Sequence, residues 1–320
     1  MYKTTTDTAS CQAVLHDISG SGREQPWVQH KSEATVLALA YDVSGDHAKA
    51  TRVRACADAL HFVRREDGRL KLKVAAFCRV RLCPICQWRR SLKVYGQTTQ
   101  VVRYLQEHCP YKSGYSYVML TLTQRTVPAA ELPAELDRIH RAWQRMTQTT
   151  AYRRAVCGSI RATEITRSKD GTYHPHIHAI LCVRGTYYKS RDYISQQRWA
   201  DMWQAAARLD YTPVVDIRRC YGTAEAAVAE VAKYAAKPGD YIDPSDIDGM
   251  VSTVQDLDGA VSHRRFVSWG GCMADAHKAL QLDDTEGGDL IHTDAPEDAA
   301  ADSMLLSFDW TPGVRLYLRR

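Results

Sequence analysis

Two segments constrain this chain more than any others: Gly158-Ser-Ile-Arg-Ala-Thr-Glu164-Ile-Thr and His174-Pro-His176-Ile-His178, separated by Lys169-Asp170-Gly171. Asp-Gly supplies turn chemistry, so the flanks read as an antiparallel hairpin. Strand side chains alternate with period two, which puts His176 and His178 on one face. If the hairpin centres on Asp170, Glu164 lies opposite His176 on that face, because antiparallel partners sum to a constant. Two imidazoles and one carboxylate then converge. That mixed donor set suits Mn²⁺ or Mg²⁺, with Zn²⁺ chemically allowed. It leaves positions open for substrate oxygen and water. His174 is read as structural.

A second metal signature lies upstream. The chain has 10 cysteines, and three cluster in Cys78-Arg-Val-Arg-Leu-Cys83-Pro-Ile-Cys86. The first residues, Met-Tyr-Lys-Thr-Thr-Thr-Asp, lack the basic and apolar regions of a secretory signal, so the expected location is the reducing cytoplasm. Clustered cysteines there bind metal more often than they form disulfides. Cys83-Pro-Ile-Cys86 presents two thiolates at the reach of a tetrahedral Zn²⁺, with Cys78 as third ligand. Cys56 is expected as the fourth, with His61 as its substitute. Thr51 to Lys93 carries 12 Lys/Arg and 3 Asp/Glu. Arg79, Arg81, Trp88, Arg89, Arg90 and Lys93 are therefore expected to form a cationic, aromatic-bearing surface for DNA phosphates and bases.

Charge is divided along the chain. Residues 238–320 hold 16 Asp/Glu against 6 Lys/Arg, leaving 36 basic and 21 acidic groups in residues 1–237. A basic body favours a polyanionic partner. No apolar run approaches the ~20 residues that span a bilayer, so no membrane partner is expected.

The remaining pattern predicts an α+β domain with an antiparallel sheet. Strands are expected at 117–123, 158–166, 174–183 and 211–218, with helices over 131–154 and 190–209. A further helix, capped by Thr223 and stopped at Pro238, carries Glu230, Lys233, Tyr234 and Lys237. Glu230 and Tyr234 share a face of it, and the lysines beside Tyr234 suit stabilisation of a phenolate and of phosphoryl charge. Phe266 to Trp269 is expected as an edge strand. The division reads as an ill-defined segment 1–50, poorly ordered to residue 30; a basic Cys-rich region 51–110; a core 111–240; its extension 241–280; a disordered acidic linker 281–302; and a tail 303–320.

Three motifs in this order resemble the rolling-circle replication initiators of small bacterial plasmids, within the HUH endonuclease superfamily. Leu120-Thr121-Leu122-Thr123 looks like the family's first motif, His174-Pro-His176-Ile-His178 like its metal motif, and Glu230-x-x-Lys233-Tyr234-x-x-Lys237 like its catalytic motif. The Cys-x₄-Cys-Pro-x-Cys-x-x-Arg-Arg run resembles the zinc region of one initiator branch, where Cys56 matches a preceding cysteine.

The resemblance implies a ferredoxin-like βαββαβ core, a divalent ion on His176, His178 and Glu164, and attack by Tyr234 on the scissile DNA phosphate. Glu230 then looks like the base for water in the terminating cleavage. Implied partners are single-stranded or hairpin DNA of a plasmid origin, a host helicase and the host polymerase; a homodimer is allowed. A relaxase normally places its tyrosine before the histidines, and a transposase of this type is usually shorter. From a different class, a zinc-ribbon regulator would bind duplex DNA and cut nothing.

Overall fold

The computed structural model describes residues 13–220, 228, 232, 236–293 and 305–320. Its larger sheet is built around the predicted hairpin. β4 (Val156–Arg167) and β5 (Tyr173–Arg184) pair antiparallel with Glu164 opposite His176. Gly171, at φ +85°, makes the turn between them, where Asp170 accepts the Thr172 N–H at 3.0 Å. β3 (Tyr115–Thr123) lies on the other side of β5, followed by β6 (Val215–Arg219), and β7 (Val267–Gly270) adds the edge beside β4. Every pairing is antiparallel, in the order β6-β3-β5-β4-β7. Without the added β7, this is the split-βαβ order of a ferredoxin-like sheet.

The two faces of that sheet differ in cover. α4 (Leu132–Thr147) and α6 (Gln196–Ala207) bury Ile139, Trp143, Met146, Trp199 and Trp203 against Leu120, Ile177, Ala179 and Leu181. The opposite face carries the histidines. It packs on the second half of α3 (Pro84–Glu107), through Val94, Val101 and Leu105.

Several predicted boundaries move. The helix expected over 131–154 divides at Thr149, whose hydroxyl accepts the Tyr152 N–H and caps a separate α5 (Thr150–Ala155). A side-chain acceptor that competes with the helical backbone starts a new helix more readily than it continues an old one. The helix expected from Ser190 begins at Gln196, where Ser195 caps it.

A smaller unit stands at the other end of α3. α1 (Trp27–Val43) and α2 (His47–Arg54) pack with a four-stranded sheet of order β2-β1-β8-β9, formed by β1 (Ala59–Arg64), β2 (Leu70–Ala75), β8 (Leu305–Thr311) and β9 (Leu316–Arg319). Residues 13–30 are ordered here, unlike the loose segment expected. Trp27 is buried, and its indole donates to Asp17 at 2.8 Å. The last residues are not an appendage either: β8 pairs along β1, and the Tyr317 hydroxyl donates to Ala57 O at 2.7 Å. α7 (Ile247–Val261) closes the core against α1, with the Tyr41 hydroxyl donating to Asp258.

Residues 281–293 depart from the disordered linker expected of them. They lie along α3, with Thr285 and Leu290 buried. Arg89 donates to Leu290 O and Ile291 O, Lys93 to Asp289 O and Asp283, and Arg81 to Glu286. Acidic composition alone reads as solvated; here the same acids satisfy buried cations that have no other way to leave water.

Candidate active site

β5 sends His176 and His178 from one face, and β4 sends Glu164 between them. His176 Nε2 lies 3.2 Å and His178 Nε2 3.0 Å from the same oxygen, Glu164 Oε2. All three side chains are buried. The rest of each ring is held: His176 Nδ1 lies 3.1 Å from His174 O, and His178 Nδ1 lies 3.2 Å from Thr121 Oγ1 on β3. Backbone or hydroxyl contacts at Nδ1 fix ring orientation and leave Nε2 for a ligand. His174 thus serves through its carbonyl, in keeping with a structural part.

Two imidazole nitrogens turned on one carboxylate oxygen hold together only through a proton or a cation. The three donor atoms lie within 4.8 Å of one another, and the donor set is one that Mn²⁺, Mg²⁺ or Zn²⁺ accepts. Burial pushes the Glu164 carboxyl up, yet hydrogen bonds to His176 and His178, the His176 charge and the Lys237 ammonium outweigh it and hold the group well below the usual carboxylate range.

Lys237 is the unexpected member. Its Nζ lies 3.1 Å from Glu164 Oε1, the oxygen the histidines do not use. Just before it, Ala236 bridges Ile165, the neighbour of Glu164, in parallel sense, and its N–H points to Gln87 Oε1 at 3.5 Å. Val228 and Ala232, earlier in the same segment, are buried in the cluster on the histidine face of the sheet. Glu230, Lys233 and Tyr234 lie outside the described residues.

The cysteine cluster forms at the junction of α2, β2 and α3. Cys56, Cys78, Cys83 and Cys86 bring their sulfurs within 4.8 Å of one another, with Cys56–Cys86 at 3.6 Å and Cys78–Cys86 at 3.7 Å. A tetrahedral Zn²⁺ with bonds of about 2.3 Å sets sulfurs roughly 3.8 Å apart. The Cys78 and Arg79 N–H groups point at Cys56 and Cys86 sulfurs at 3.4 and 3.3 Å, as thiolates require. Burial pushes the Cys83 thiol up, while the three neighbouring sulfurs draw Cys86 well below an ordinary thiol. His61 takes no part, because its ring nitrogen bonds Ser307 across the β1–β8 ladder at 2.8 Å.

The surface expected around this knuckle is not a free one. Trp88, Arg89 and Lys93 are buried, with the Trp88 ring edge-on to Trp27. Arg79 donates to Gly287 O at 2.6 Å, Arg81 to Glu286, and Arg90 to Arg79 O. Arg79, Arg81, Arg89, Arg90 and Lys93 hold the 281–293 segment while Trp88 packs on Trp27, so the buried Trp88, Arg89 and Lys93 do not form the open surface expected of them. The complementary charge of residues 51–93 and 281–302 was the signal that linked them.

Two contacts of the site, by Thr121 and Lys237, were not anticipated from the sequence. Thr121 pairs with His178 in register, so the period-two rule that found Glu164 reaches it as well. The Lys237–Glu164 contact depends on where the chain returns after β6, which no local pattern encodes.

Comparison with known proteins points to one family. Residues 69–318 match a family model described as "Replication protein". A "Protein rep" of Bacillus amyloliquefaciens is 34% identical over 96% of this chain and 97% of its own length. A "Protein rep" of Lentilactobacillus hilgardii is 36% identical over 88% of this chain and 90% of its own, and one of Streptococcus pneumoniae is 33% identical over 95% of both. No solved structure matches.

Proposed function

The chain belongs to the replication protein family and is a plasmid replication initiator, and from that premise we propose that it starts rolling-circle synthesis by nicking one strand of a plasmid origin through Tyr234. The observation that carries this reading is the convergence of Glu164, His176 and His178, with Lys237 drawn onto the same carboxylate.

Glu164, His176 and His178 are the residues that would hold a divalent ion. Such an ion supplies Lewis acidity and orientation to a phosphodiester. Tyr234 loses its phenolic proton, and its oxygen bonds to phosphorus while the bond to the 3′ oxygen breaks. That oxygen takes up a proton. The products are a 5′-phosphotyrosyl DNA and a 3′-OH primer, and the covalent ester preserves the bond for rejoining. Lys233 and Lys237 offset the negative charge that develops on phenolate and phosphate. Glu230 deprotonates a water for the terminating cleavage, releasing the protein instead of recycling it. A host helicase unwinds the duplex, and a host polymerase extends the 3′-OH. The Cys56, Cys78, Cys83 and Cys86 thiolates hold a structural Zn²⁺.

Ala236 and Lys237 against β4 support this reading, because they bring the chain to Glu164 within three residues of Tyr234. The test is a labelled origin oligonucleotide incubated with full-length protein and Mn²⁺, resolved on a denaturing gel. A covalent adduct is expected with the native chain and none with Tyr234→Phe. An adduct that persists in Tyr234→Phe overturns the assignment.

A further inference from the structure

On the face of the sheet away from the histidines, α4, α5, β4 and β7 enclose a groove of about 660 Å³. That is within the 300–1,000 Å³ of small-molecule sites. Its lining includes Arg161, Ser159, His140, Trp143 and Tyr152, with Arg153 bordering it and Arg265 as well, whose guanidinium also pairs with Asp284 and lies 3.8 Å from Glu286.

Arg161 is the unusual member. It is 7% exposed, and one guanidinium nitrogen donates to Thr163 Oγ1 at 2.9 Å. Its Nε is buried with no hydrogen-bond partner among the described residues. The carboxylate whose charge reaches it is Glu286, and that group is already committed to Arg81 at 2.9 Å and to the Phe266 N–H at 3.0 Å. A buried charge without a counter-ion is costly, and arginine's fork matches the oxygens of phosphate.

Burial lowers the Arg161 guanidinium to about 10, and burial together with the Arg161 charge holds the His140 imidazole near 3, so His140 is neutral in the fold. The rest of the lining suits a flat ring. Trp143 and Tyr152 stand edge to face at 6.2 Å, and both are buried members of the groove wall. Gly270 faces Ser159 across the β4–β7 ladder, and a Cβ there would sit 3.3 Å from Ser159 Oγ, so the bare glycine leaves that hydroxyl open.

We propose that this groove binds a nucleoside phosphate, its phosphate on Arg161 and Arg265 and its base against Trp143 and Tyr152. The ligand is either a free nucleotide or a nucleotide presented by single-stranded DNA. The site lies on the opposite face of the sheet from Glu164 and stands whether or not the nicking reading holds.

The experiment uses full-length protein without added divalent ion. Equilibrium dialysis with radiolabelled dATP and fluorescence anisotropy with a fluorescein-labelled 10-mer of dT report the two sources separately. Binding of dATP marks a free nucleotide; binding of the oligonucleotide alone marks a strand. Arg161→Gln should weaken whichever is seen about 10-fold or more, and Arg265→Ala about 3-fold. If Arg161→Gln does not fold by circular dichroism, the exposed Arg265→Ala decides. No binding of either probe, or binding indifferent to Arg265→Ala and to any folded Arg161→Gln, overturns the proposal.

Discussion

The chain holds two metal-competent clusters that differ in what surrounds them. At Cys56, Cys78, Cys83 and Cys86 four sulfurs face one another, backbone N–H groups point at the sulfurs, and helices and strands from both ends of the chain close around them. At Glu164, His176 and His178 three donors meet among the described residues, and a half-exposed lysine approaches the carboxylate from another side. A tetrahedral cation is saturated by the first set and left with free positions by the second. Saturated sites hold folds together; unsaturated ones act on substrate. On the proposed reading, ligand count would keep one cation's role apart from the other's.

That contrast breaks most visibly at the cysteines. Cys83→Ser should remove one of four ligands from a cluster in which Cys56, Cys83 and Cys86 are buried, and metal affinity at such a site is folding free energy. The expected result is loss of cooperative melting for the unit containing α1, β1 and β8, a destabilisation of several kcal/mol. Thermal unfolding followed by circular dichroism, with zinc content measured on the same sample, checks it. A variant that melts like the native chain and still carries one zinc would show that the sulfurs are not a structural site.

At the second cluster the expected outcome reverses. His178→Ala should leave the melting temperature within a few degrees of native, yet reduce adduct formation on origin DNA by more than about 100-fold, since the side chain holds a cation and not the core. Measuring melting and nicking on one preparation sets the two clusters side by side. If His178→Ala unfolds the protein, or nicks normally, the division of roles fails.

Both clusters were legible in the sequence, for different reasons. The triad follows from strand periodicity and one turn, each set by residues within twenty positions, and the observed Glu164–His176 register is the one that arithmetic gives. The cysteines follow from spacing that tetrahedral geometry demands. What escaped was whatever depends on contacts between distant parts. Arg89 and Lys93 carry the composition of a nucleic-acid surface, but the segment that buries them lies some 190–202 residues onward. β8 was unreadable because its partner strand is β1, about 245 residues earlier, and pairing at that separation leaves no local trace; β9 in turn pairs with β8. Polar composition records how a segment would behave alone in water; whether an oppositely charged segment displaces that water is a tertiary fact.

The smallest expected effect lies one bond outside the triad. Thr121 holds His178 by the ring nitrogen that is turned away from Glu164. Thr121→Val keeps the strand shape and removes the hydroxyl. Contacts of this kind tune affinity by roughly 10- to 100-fold when lost, so Mn²⁺ titration of nicking should shift to about 10-fold higher concentration, while the rate at saturating Mn²⁺ stays near native. Thr121→Ser should restore the native titration, since it restores the oxygen. A role in packing would predict the opposite pattern, a lowered melting temperature with an unchanged metal titration. A shift that Mn²⁺ saturation repairs therefore places Thr121 with the open cluster, and nothing comparable should be found at the closed one, where every ligand is already fixed by three others.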